Sequence, residues 1–205
     1  MTGRACAFGP LTVEYDEHVL APRPWTLLQS ERAARYLEDS PAGVVVELHC
    51  GAGHIGQATA AMSGRHVVQI DDAAASCAWA VHNAACNHVA ATVVQADIAS
   101  SPLRAGHSAL VLADPPYVPS GETARFPEDP AHAIDGGGDG LDGFRACLPA
   151  AAQLLRRGGM LVLQVWGPEQ ADAVAALASA GACGLEPVEV VVASPTRALL
   201  ELVRR

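Results

Sequence analysis

Residues 110–118 read LVLADPPYV, an apolar run that stops at an acid, two prolines and a tyrosine. A short, wholly apolar run is typical of a strand buried on both faces, and it predicts a strand over residues 109–113. Because proline has no N–H to donate to a strand ladder, the strand must end at Asp114. Parallel α/β sheets bind ligands at the carboxyl ends of their strands. The stretch therefore predicts an α/β sheet with a ligand site beside Asp114.

The polar groups that follow this strand are suited to holding an NH2 group. The Asp114 carboxylate and the Pro115 carbonyl oxygen can both accept hydrogen bonds, and the Tyr117 ring can stack on a planar amide or base. A solvated aspartate ahead of a proline turn is the competing interpretation. These residues alone do not separate the two, so the decision depends on the rest of the chain.

Strands and helices alternate on both sides of this stretch. The patterns predict strands at 44–48, 66–70, 92–95, 160–166, 188–193 and 199–203, and helices at about 26–39, 54–62, 73–86, 141–156 and 169–180. Only residues 194–198 separate the last two strands, too few for a crossover helix, so these strands must pair as an antiparallel hairpin. The predicted fold class is α/β: a single Rossmann-like, doubly wound, mostly parallel seven-stranded sheet with a C-terminal antiparallel hairpin.

Two segments lack a regular pattern. Residues 1–16 show no period, and we expect them to be loosely held. Residues 119–140 are rich in Pro, Gly, Asp and Glu. Because a structureless loop of that length is uncommon in a compact domain and is usually functional, we interpret it as a lid or substrate-recognition loop.

Four single residues carry smaller expectations. Thr26 is a candidate helix cap, Asn87 a left-handed cap, and Pro149 should kink or split its helix. Arg23 is taken as a surface charge, with a place at the mouth of the pocket as the second interpretation.

Composition limits the class of protein. The 205 residues fit one α/β domain, and the formal net charge of −9 argues against non-specific nucleic-acid binding, which is driven by phosphate neutralisation. The sequence contains no lysine, which excludes Schiff-base chemistry. Six scattered cysteines without a CxxC pair predict reduced thiols and no metal site. No run reaches the roughly 18 apolar residues of a membrane span, and no leader is recognisable, so we expect a cytoplasmic protein without membrane contact.

A glycine-rich turn follows the first strand of the sheet. Residues 49–53 read HCGAG and lead into a helix, whose N-terminus offers free amide donors to a nucleotide-type ligand. The next strand ends at Asp71, where an acid can bind the two hydroxyls of a ribose, and the third ends at Asp97. Residues 51–56 also match GxGxxG, which raises a nicotinamide-dependent dehydrogenase as an alternative. The second acid, the DPPY stretch and the closing hairpin favour a different enzyme.

These features resemble the S-adenosylmethionine-dependent methyltransferases of the seven-stranded Rossmann-like type. More narrowly, the chain resembles the catalytic domain of the HemK/PrmC family, glutamine amide N-methyltransferases that act on peptide-chain release factors. The resemblance runs from about Val19 over nearly all of the remaining chain. It rests on VLAPRPWT (19–26), ELHCGAG (47–53), Asp71, the pair Asn83-Ala84, DPPYV (114–118) and, most specifically, PAHAIDGGGDGLDGFR (130–145).

The resemblance implies S-adenosylmethionine as the cofactor and assigns the site residues. The cofactor-binding set is Glu47, Cys50, Gly51, Gly53, Asp71, Asp97, Ile98 and Asp114. Within it, the backbone of 50–53 would carry the methionine part, Asp71 the ribose, and Asp97 with Ile98 the adenine. The catalytic set is Asp114, Pro115 and Tyr117, which would hold an amide or amine nitrogen. Cys50 would pack behind the turn, and we take Trp79 and Trp166 as core or interface residues.

Three departures from the family pattern leave the acceptor open. His49 occupies the first glycine position of the cofactor turn, and Asp114 replaces an asparagine, as in enzymes that methylate exocyclic base amines. The family's helical N-terminal domain is not recognisable: we expect residues 1–40 to form an extension and a helix that pack on a methyltransferase domain of residues 41–205. The expected acceptor is a glutamine-type protein group or a small molecule. An exocyclic amine of nucleic acid, or a cofactor-binding module without catalysis, is the alternative.

Overall fold

Strands and helices alternate along most of the chain in the computed structural model, which describes residues 3–181 and 183–205. The strands are β1 Arg4–Phe8, β2 Leu11–Tyr15, β3 Val44–Leu48, β4 Val67–Asp71, β5 Ala91–Gln95, β6 Ser108–Ala113, β7 Leu155–Val165, β8 Leu185–Ser194 and β9 Arg197–Arg204. The α-helices are α1 Leu27–Asp39, α2 His54–Ser63, α3 Ala74–Cys86, α4 Ala131–Ile134, α5 Asp142–Leu154 and α6 Gly167–Ala180. Short 3-10 turns occupy Pro24–Thr26, Ile98–Ser100 and Ser120–Arg125. Among these described helices, none has the length and apolar character needed to cross a bilayer.

Seven of the described strands form one sheet in the order β5-β4-β3-β6-β7-β9-β8. The first five in this order pair in parallel, and β9 runs antiparallel to both of its neighbours, β7 and β8. β9 pairs antiparallel with β8 because the short connection between them leaves no room for a crossover helix, and β8 forms the edge of the sheet. The predicted α/β fold with its C-terminal hairpin is confirmed.

Both faces of the sheet are covered, and neighbouring residues of β6 alternate between the two sides. Val111 and Ala113 belong to the apolar cluster with α5 and α6, whereas Leu110 and Leu112 pack into the cluster with α1 and α2. This alternation explains why β6 reads as a continuous apolar run. Because β6 is the fourth of the seven strands in the sheet order, its carboxyl end, and with it Asp114, lies at the middle of the sheet edge.

The first 16 residues do not match the expectation of a loosely held segment. β1 and β2 form an antiparallel hairpin, and Phe8, Leu11 and Val13 are buried in the core. In β2 the apolar residues alternate with Thr12 and Glu14, a strand pattern too short to stand out in the sequence. Residues 3–16 therefore form part of the packed structure.

The segment 119–140 is ordered by contacts that its composition does not reveal. Val118 forms a parallel bridge with Asp135, so the chain returns beside the DPPY stretch after one 3-10 turn and α4. A Cβ on Gly136 would lie 2.8 Å from the Cα of Tyr117, so only glycine permits this approach. The segment is a packed wall of the site and not a structureless loop.

Three local expectations are wrong in detail. Thr26 has helical dihedrals and donates its hydroxyl to the Arg23 carbonyl instead of capping α1. His88, with φ +55°, takes the left-handed position expected of Asn87, whose φ is −94°. The third expectation is wrong only in part: Pro149 lies inside α5 and does not split it, since the helix continues to Leu154 with the residues on both sides of the proline buried.

Candidate active site

Two cavities meet at the carboxyl edge of the sheet. The larger has a volume of about 360 Å³ and the smaller about 80 Å³. Both are lined by Leu20, Asp114 and Ala133. The residue that ends β6 therefore faces both spaces, and a group transferred from one cavity to the other would pass its carboxylate.

The Asp114 carboxylate is half-buried and faces both cavities. Among residues 3–181 and 183–205, no group donates a hydrogen bond to its carboxylate. Burial raises the pKa of Asp114 to about 7, and the positive charge of Arg23 opposes this rise only in part. Near neutral pH the carboxyl is therefore divided between its neutral and charged forms, and it is available to a donor that enters either cavity.

Flat rings and arginines surround the larger cavity. Its walls include Trp25, Tyr117, Phe126, Trp166 and Arg197. The Tyr117 and Phe126 rings contact Trp166 edge-to-face, with centroids 6.4 Å and 5.9 Å away, and the Arg197 guanidinium lies 3.6 Å from the Trp25 ring centroid. Such walls suit a planar amide or base.

Arg23 lines this cavity, so the surface interpretation was wrong. Its guanidinium binds both carboxylate oxygens of Asp129, whose side chain is nearly buried. The pair joins the extended segment before α1 to the wall formed by residues 119–140. Gln170 of α6 supports the same wall, because its side-chain amide donates to the carbonyl oxygens of Tyr117 at 3.0 Å and Gly140 at 3.2 Å.

The HCGAG turn forms one side of the smaller cavity. His49, Gly51 and Gly53 have φ values of +56°, +51° and +82°, a left-handed conformation that glycine adopts without strain. Asp71 closes the turn by accepting the Gly51 amide at 2.9 Å and the Ala73 amide at 3.0 Å. Each carboxylate oxygen keeps a lone pair for a further donor.

The smaller cavity has an acidic lining. Asp71, Asp72 and Asp114 border it together with the imidazoles of His49, His54 and His132. Burial lowers the pKa of His49, and it lowers the pKa of His54 to about 4, so both rings are neutral at pH 7. This lining favours a ligand with positive charge and hydroxyl donors. It disfavours the pyrophosphate of a nicotinamide dinucleotide, so the electrostatics oppose the dehydrogenase alternative.

These features fit the sulfonium and ribose of S-adenosylmethionine. The turn lies at the N-terminus of α2, the acid that ends β4 faces the cavity, and the buried Nε2 atom of His49 has no hydrogen-bond partner within the described chain. The cavity is smaller than the 300–1,000 Å³ typical of ligand pockets. Since His49 is part of the wall, its side chain limits the space at the position where the family pattern has glycine.

Of the remaining predicted cofactor residues, Cys50 lines this cavity, whereas Glu47, Asp97 and Ile98 do not. Cys50 lines it, and burial raises the pKa of its thiol well above the usual value, which keeps it protonated. Glu47 is buried under the turn, where it accepts a hydrogen bond from Gln69, and burial raises its pKa to about 8. Among the described residues that line the two cavities, neither Asp97 nor Ile98 is found. Asp97 accepts a hydrogen bond from the Ala99 amide, and Ile98 is buried in the core.

Much of the wall of the larger cavity is not marked by any local sequence pattern. The sequence patterns assign no role to Trp25, Phe126 or Arg197, and they place Trp166 with Trp79 in the core or at an interface. Trp79 is a core residue, but Trp166 is half-buried and lines the cavity. Trp166 directly follows β7, and that position at a strand's carboxyl end was the available signal. Arg197 had none, because it lies in a hairpin that reaches the site only through sheet pairing.

Comparison with known proteins adds independent information. Residues 30–139 match the family model described as "Methyltransferase small domain". The chain is 36% identical over 169 residues to a release factor glutamine methyltransferase of Moorella thermoacetica, covering 79% of this chain and 59% of that protein. It is 35% identical over 167 residues to the protein of the same name from Mycolicibacterium smegmatis, covering 77% and 58%. The chain thus spans less than two thirds of these relatives.

Solved structures of the same fold include a Thermus thermophilus 16S rRNA N2 G1207 methyltransferase in complex with AdoMet and guanosine. Its TM-score is 0.71 at 18% identity, and the match covers all of this chain and 50% of that one. A ribosomal protein L11 methylase from Lactobacillus delbrueckii matches with a TM-score of 0.67 at 14% identity, covering 93% and 84%. At these sequence identities the similarity shows a shared fold and nothing further.

Proposed function

The chain belongs to the methyltransferase small domain family, and from that premise we propose that it transfers a methyl group from S-adenosylmethionine to a nitrogen held at Asp114. The family and fold expected from the sequence are confirmed. One observation carries the proposal: a carboxylate without a hydrogen-bond partner, among the residues that the structure describes, lies where the two cavities meet.

The cofactor, when bound, supplies a methyl group on a positively charged sulfur. The HCGAG turn and Asp71 would hold its methionine and ribose parts, and the acidic wall balances the sulfonium charge. Four further residues do not line the cavity itself. Glu47 and Gly53 would support the turn from behind, and Asp97 with Ile98 would border the adenine.

On the acceptor side, Asp114 and the Pro115 carbonyl oxygen would accept the two N–H bonds of an NH2 group, with Tyr117 stacked on its plane. This arrangement would leave the nitrogen lone pair facing the smaller cavity, in which the HCGAG turn and Asp71 would hold the methyl donor. Positioning of this kind contributes about 7–11 kcal/mol to lowering a barrier. As the nitrogen gains positive charge, a charged Asp114 stabilises it and can then accept the released proton.

The acceptor we propose is a side-chain amide of glutamine type in a protein, which enters through the larger cavity. The relatives' names describe release factor glutamine as their acceptor, and the motif that carries that resemblance, residues 130–145, forms part of this cavity's wall. A small molecule with an amide or amine group fits the same contacts.

A second candidate is the exocyclic amine of a nucleic-acid base. It is favoured by Asp114 in place of asparagine and by the rings around it, on which a base can stack. The net charge of −9 opposes it, because nucleic-acid binding depends on neutralising phosphates. A third candidate is a cofactor-binding protein without catalysis, motivated by the strained His49.

Incubation with radiolabelled S-adenosylmethionine and fractionated host lysate tests the proposal. We expect label in the protein fraction or in a small molecule, with little change on raising salt, and loss of that label with Asp114→Ala. Cofactor affinity should fall much less than activity in this variant, because Asp71 and Asp72 keep the lining of the smaller cavity acidic. Label in RNA that disappears as salt rises would support the second candidate, and cofactor binding without any labelled product would support the third. An Asp114→Ala protein that labels at the wild-type rate would remove Asp114 from the mechanism.

A further inference from the structure

Three candidate metal ligands come together away from the two cavities. Glu14 on β2 and His82 and Cys86 on α3 present one ligand atom each, and these three atoms lie within 4.8 Å of one another. The His82 Nε2 atom is 3.1 Å from a Glu14 carboxylate oxygen and 3.5 Å from the Cys86 sulfur. His82 and Cys86 are four residues apart on one helix, so they project from the same face.

These spacings agree with a shared tetrahedral ion. With Zn–N near 2.0–2.1 Å and Zn–S near 2.3 Å, tetrahedral angles place sulfur and nitrogen about 3.6 Å apart, and nitrogen and oxygen about 3.3 Å apart. The two distances to His82 match these values closely. Glu14 is half-buried and Cys86 is exposed, so small side-chain rotations can adjust the third distance.

The backbone that carries Glu14 is held in register by two asparagines of the same helix. Asn83 accepts the Glu14 amide at 2.8 Å and donates to the Glu14 carbonyl at 2.9 Å. Asn87 forms the equivalent pair with Thr12, at 2.9 Å and 2.8 Å. The ligand from the hairpin is thus placed beside the two from the helix before any ion binds, which lowers the conformational cost of binding.

We propose that Glu14, His82 and Cys86 form a zinc site, with water in the fourth position. Sulfur, imidazole and carboxylate together are a donor set that zinc accepts, whereas magnesium and calcium prefer oxygen alone. The site would clamp the β1–β2 hairpin to α3, the helix that follows Asp71 and Asp72. The sequence predicts no metal site because its cysteines form no CxxC pair, whereas in the structure the third ligand lies 68 residues before His82.

Metal titration of the chelator-treated full chain tests this site. We expect one zinc per chain, and a one-to-one cobalt(II) complex whose absorption spectrum contains a thiolate-to-cobalt charge-transfer band. Cys86→Ser should remove that band, and His82→Gln and Glu14→Gln should each weaken zinc affinity by at least the roughly 10–100-fold that loss of an outer-shell partner costs. The matched control is Cys183→Ser, a half-buried free thiol in a different part of the fold, which should change neither stoichiometry nor spectrum.

Thermal unfolding provides a second measurement. A ligand that binds only the folded state raises its stability in proportion to the logarithm of ligand concentration over Kd, so zinc should raise Tm in the wild type and less in Glu14→Gln. Folding of each variant is checked first by circular dichroism without metal. Zinc or cobalt binding that is equal in the wild type, Cys86→Ser and His82→Gln would overturn the proposal, as would no binding at all by the wild type. The proposal stands apart from methyl transfer, since none of its ligands lines either cavity within the described chain.

Discussion

Asp114 combines position and electrostatics in one side chain. It ends the central strand β6, faces both cavities and has a pKa of about 7, raised by burial from an ordinary value of 3.8. Such a shift marks a candidate functional group when the residue also lies in a cleft. An asparagine in this position would bind the same NH2 group but would carry no charge to stabilise the product.

The charge of Asp114 predicts a pH profile. If the ionised form is the active one, the single-turnover methylation rate of the wild type should rise with pH and level off above about 7. Asp114→Asn removes the titrating group, so the rate should be lower and should lose this rise. Rates measured from about pH 5.5 to 8.5 at saturating cofactor, a range that brackets the raised pKa, check the prediction. The same rise with pH in the wild type and in Asp114→Asn would contradict it.

The titration of Asp114 should also affect stability: the free energy of unfolding should fall as pH rises, whereas the methylation rate rises. Because the folded pKa lies above the unfolded one, the folded state binds more protons between about pH 4 and 7, and its stability falls as pH rises through that window. The loss in the wild type should amount to a few kcal/mol at most, and Asp114→Asn should reduce it. Urea unfolding at about pH 5 and about pH 8, between which most of the loss should occur, measures the free energy of unfolding of the wild type and of Asp114→Asn. Glu47, whose pKa is raised to about 8 mainly by burial and in small part by the charge of Asp114, remains in both proteins, so part of the loss should persist in Asp114→Asn.

At the scale of elements, the turn between β3 and α2 holds a residue in an unfavourable conformation. A left-handed backbone costs a non-glycine residue about 1–2 kcal/mol, although histidine tolerates it better than most. Two histidines adopt it: His49 in the turn, at φ +56°, and His88 after α3, at φ +55°. Only the former lines a cavity formed by the described residues, so the pair separates backbone strain from cavity shape.

We expect His49→Gly to bind S-adenosylmethionine several-fold more tightly than the wild type, because it relieves the turn and removes an imidazole from the cavity wall. His88→Gly should relieve similar strain, change the free energy of unfolding by roughly 1 kcal/mol or less, and leave cofactor affinity unchanged. Calorimetric titration and urea unfolding of both variants measure these effects. Weaker binding in His49→Gly would show instead that the imidazole itself contacts the cofactor.

One arginine links the first helix of the fold to its last two strands. Arg32 of α1 forms a two-pronged pair with Glu201 of β9, at 2.7 Å and 3.0 Å, and also binds Glu189 of β8 at 2.5 Å. The Glu201 side chain is only 9% exposed. The reversed strand β9 is therefore tied to α1. Arg32 supplies the positive charge that the nearly buried Glu201 carboxylate pairs with.

Arg32→Ala should destabilise the protein by about 2–4 kcal/mol, because it leaves a buried carboxylate unpaired. Arg145→Ala is the matched control: Arg145 also binds two acids, Asp139 and Asp142, but in an exposed position where such pairs contribute about 0–1 kcal/mol. Denaturant unfolding at neutral pH compares the two. Equal losses in both variants would mean that burial does not govern the strength of the Arg32 pair.

Local pattern determined the strand and helix order, the parallel sheet with its reversed strand, and the position of Asp114, Asp71 and the glycine turn at one edge. These features follow from apolar runs, from residues that break them and from the direction of parallel strands, all of which are readable in short windows. The resemblance of residues 130–145 further identified the family. The predicted helix and strand limits were within a few residues for most elements.

Tertiary structure alone decided which distant side chains meet. Trp25, Trp166 and Arg197 surround one cavity although the first lies far from the other two in the sequence. The β1–β2 hairpin packs into the core through asparagines of α3, and the same docking places Glu14 beside His82. Such contacts depend on how elements pack against one another, which no local sequence pattern encodes. Burial, and with it the raised pKa of Asp114, likewise exists only once the chain has folded.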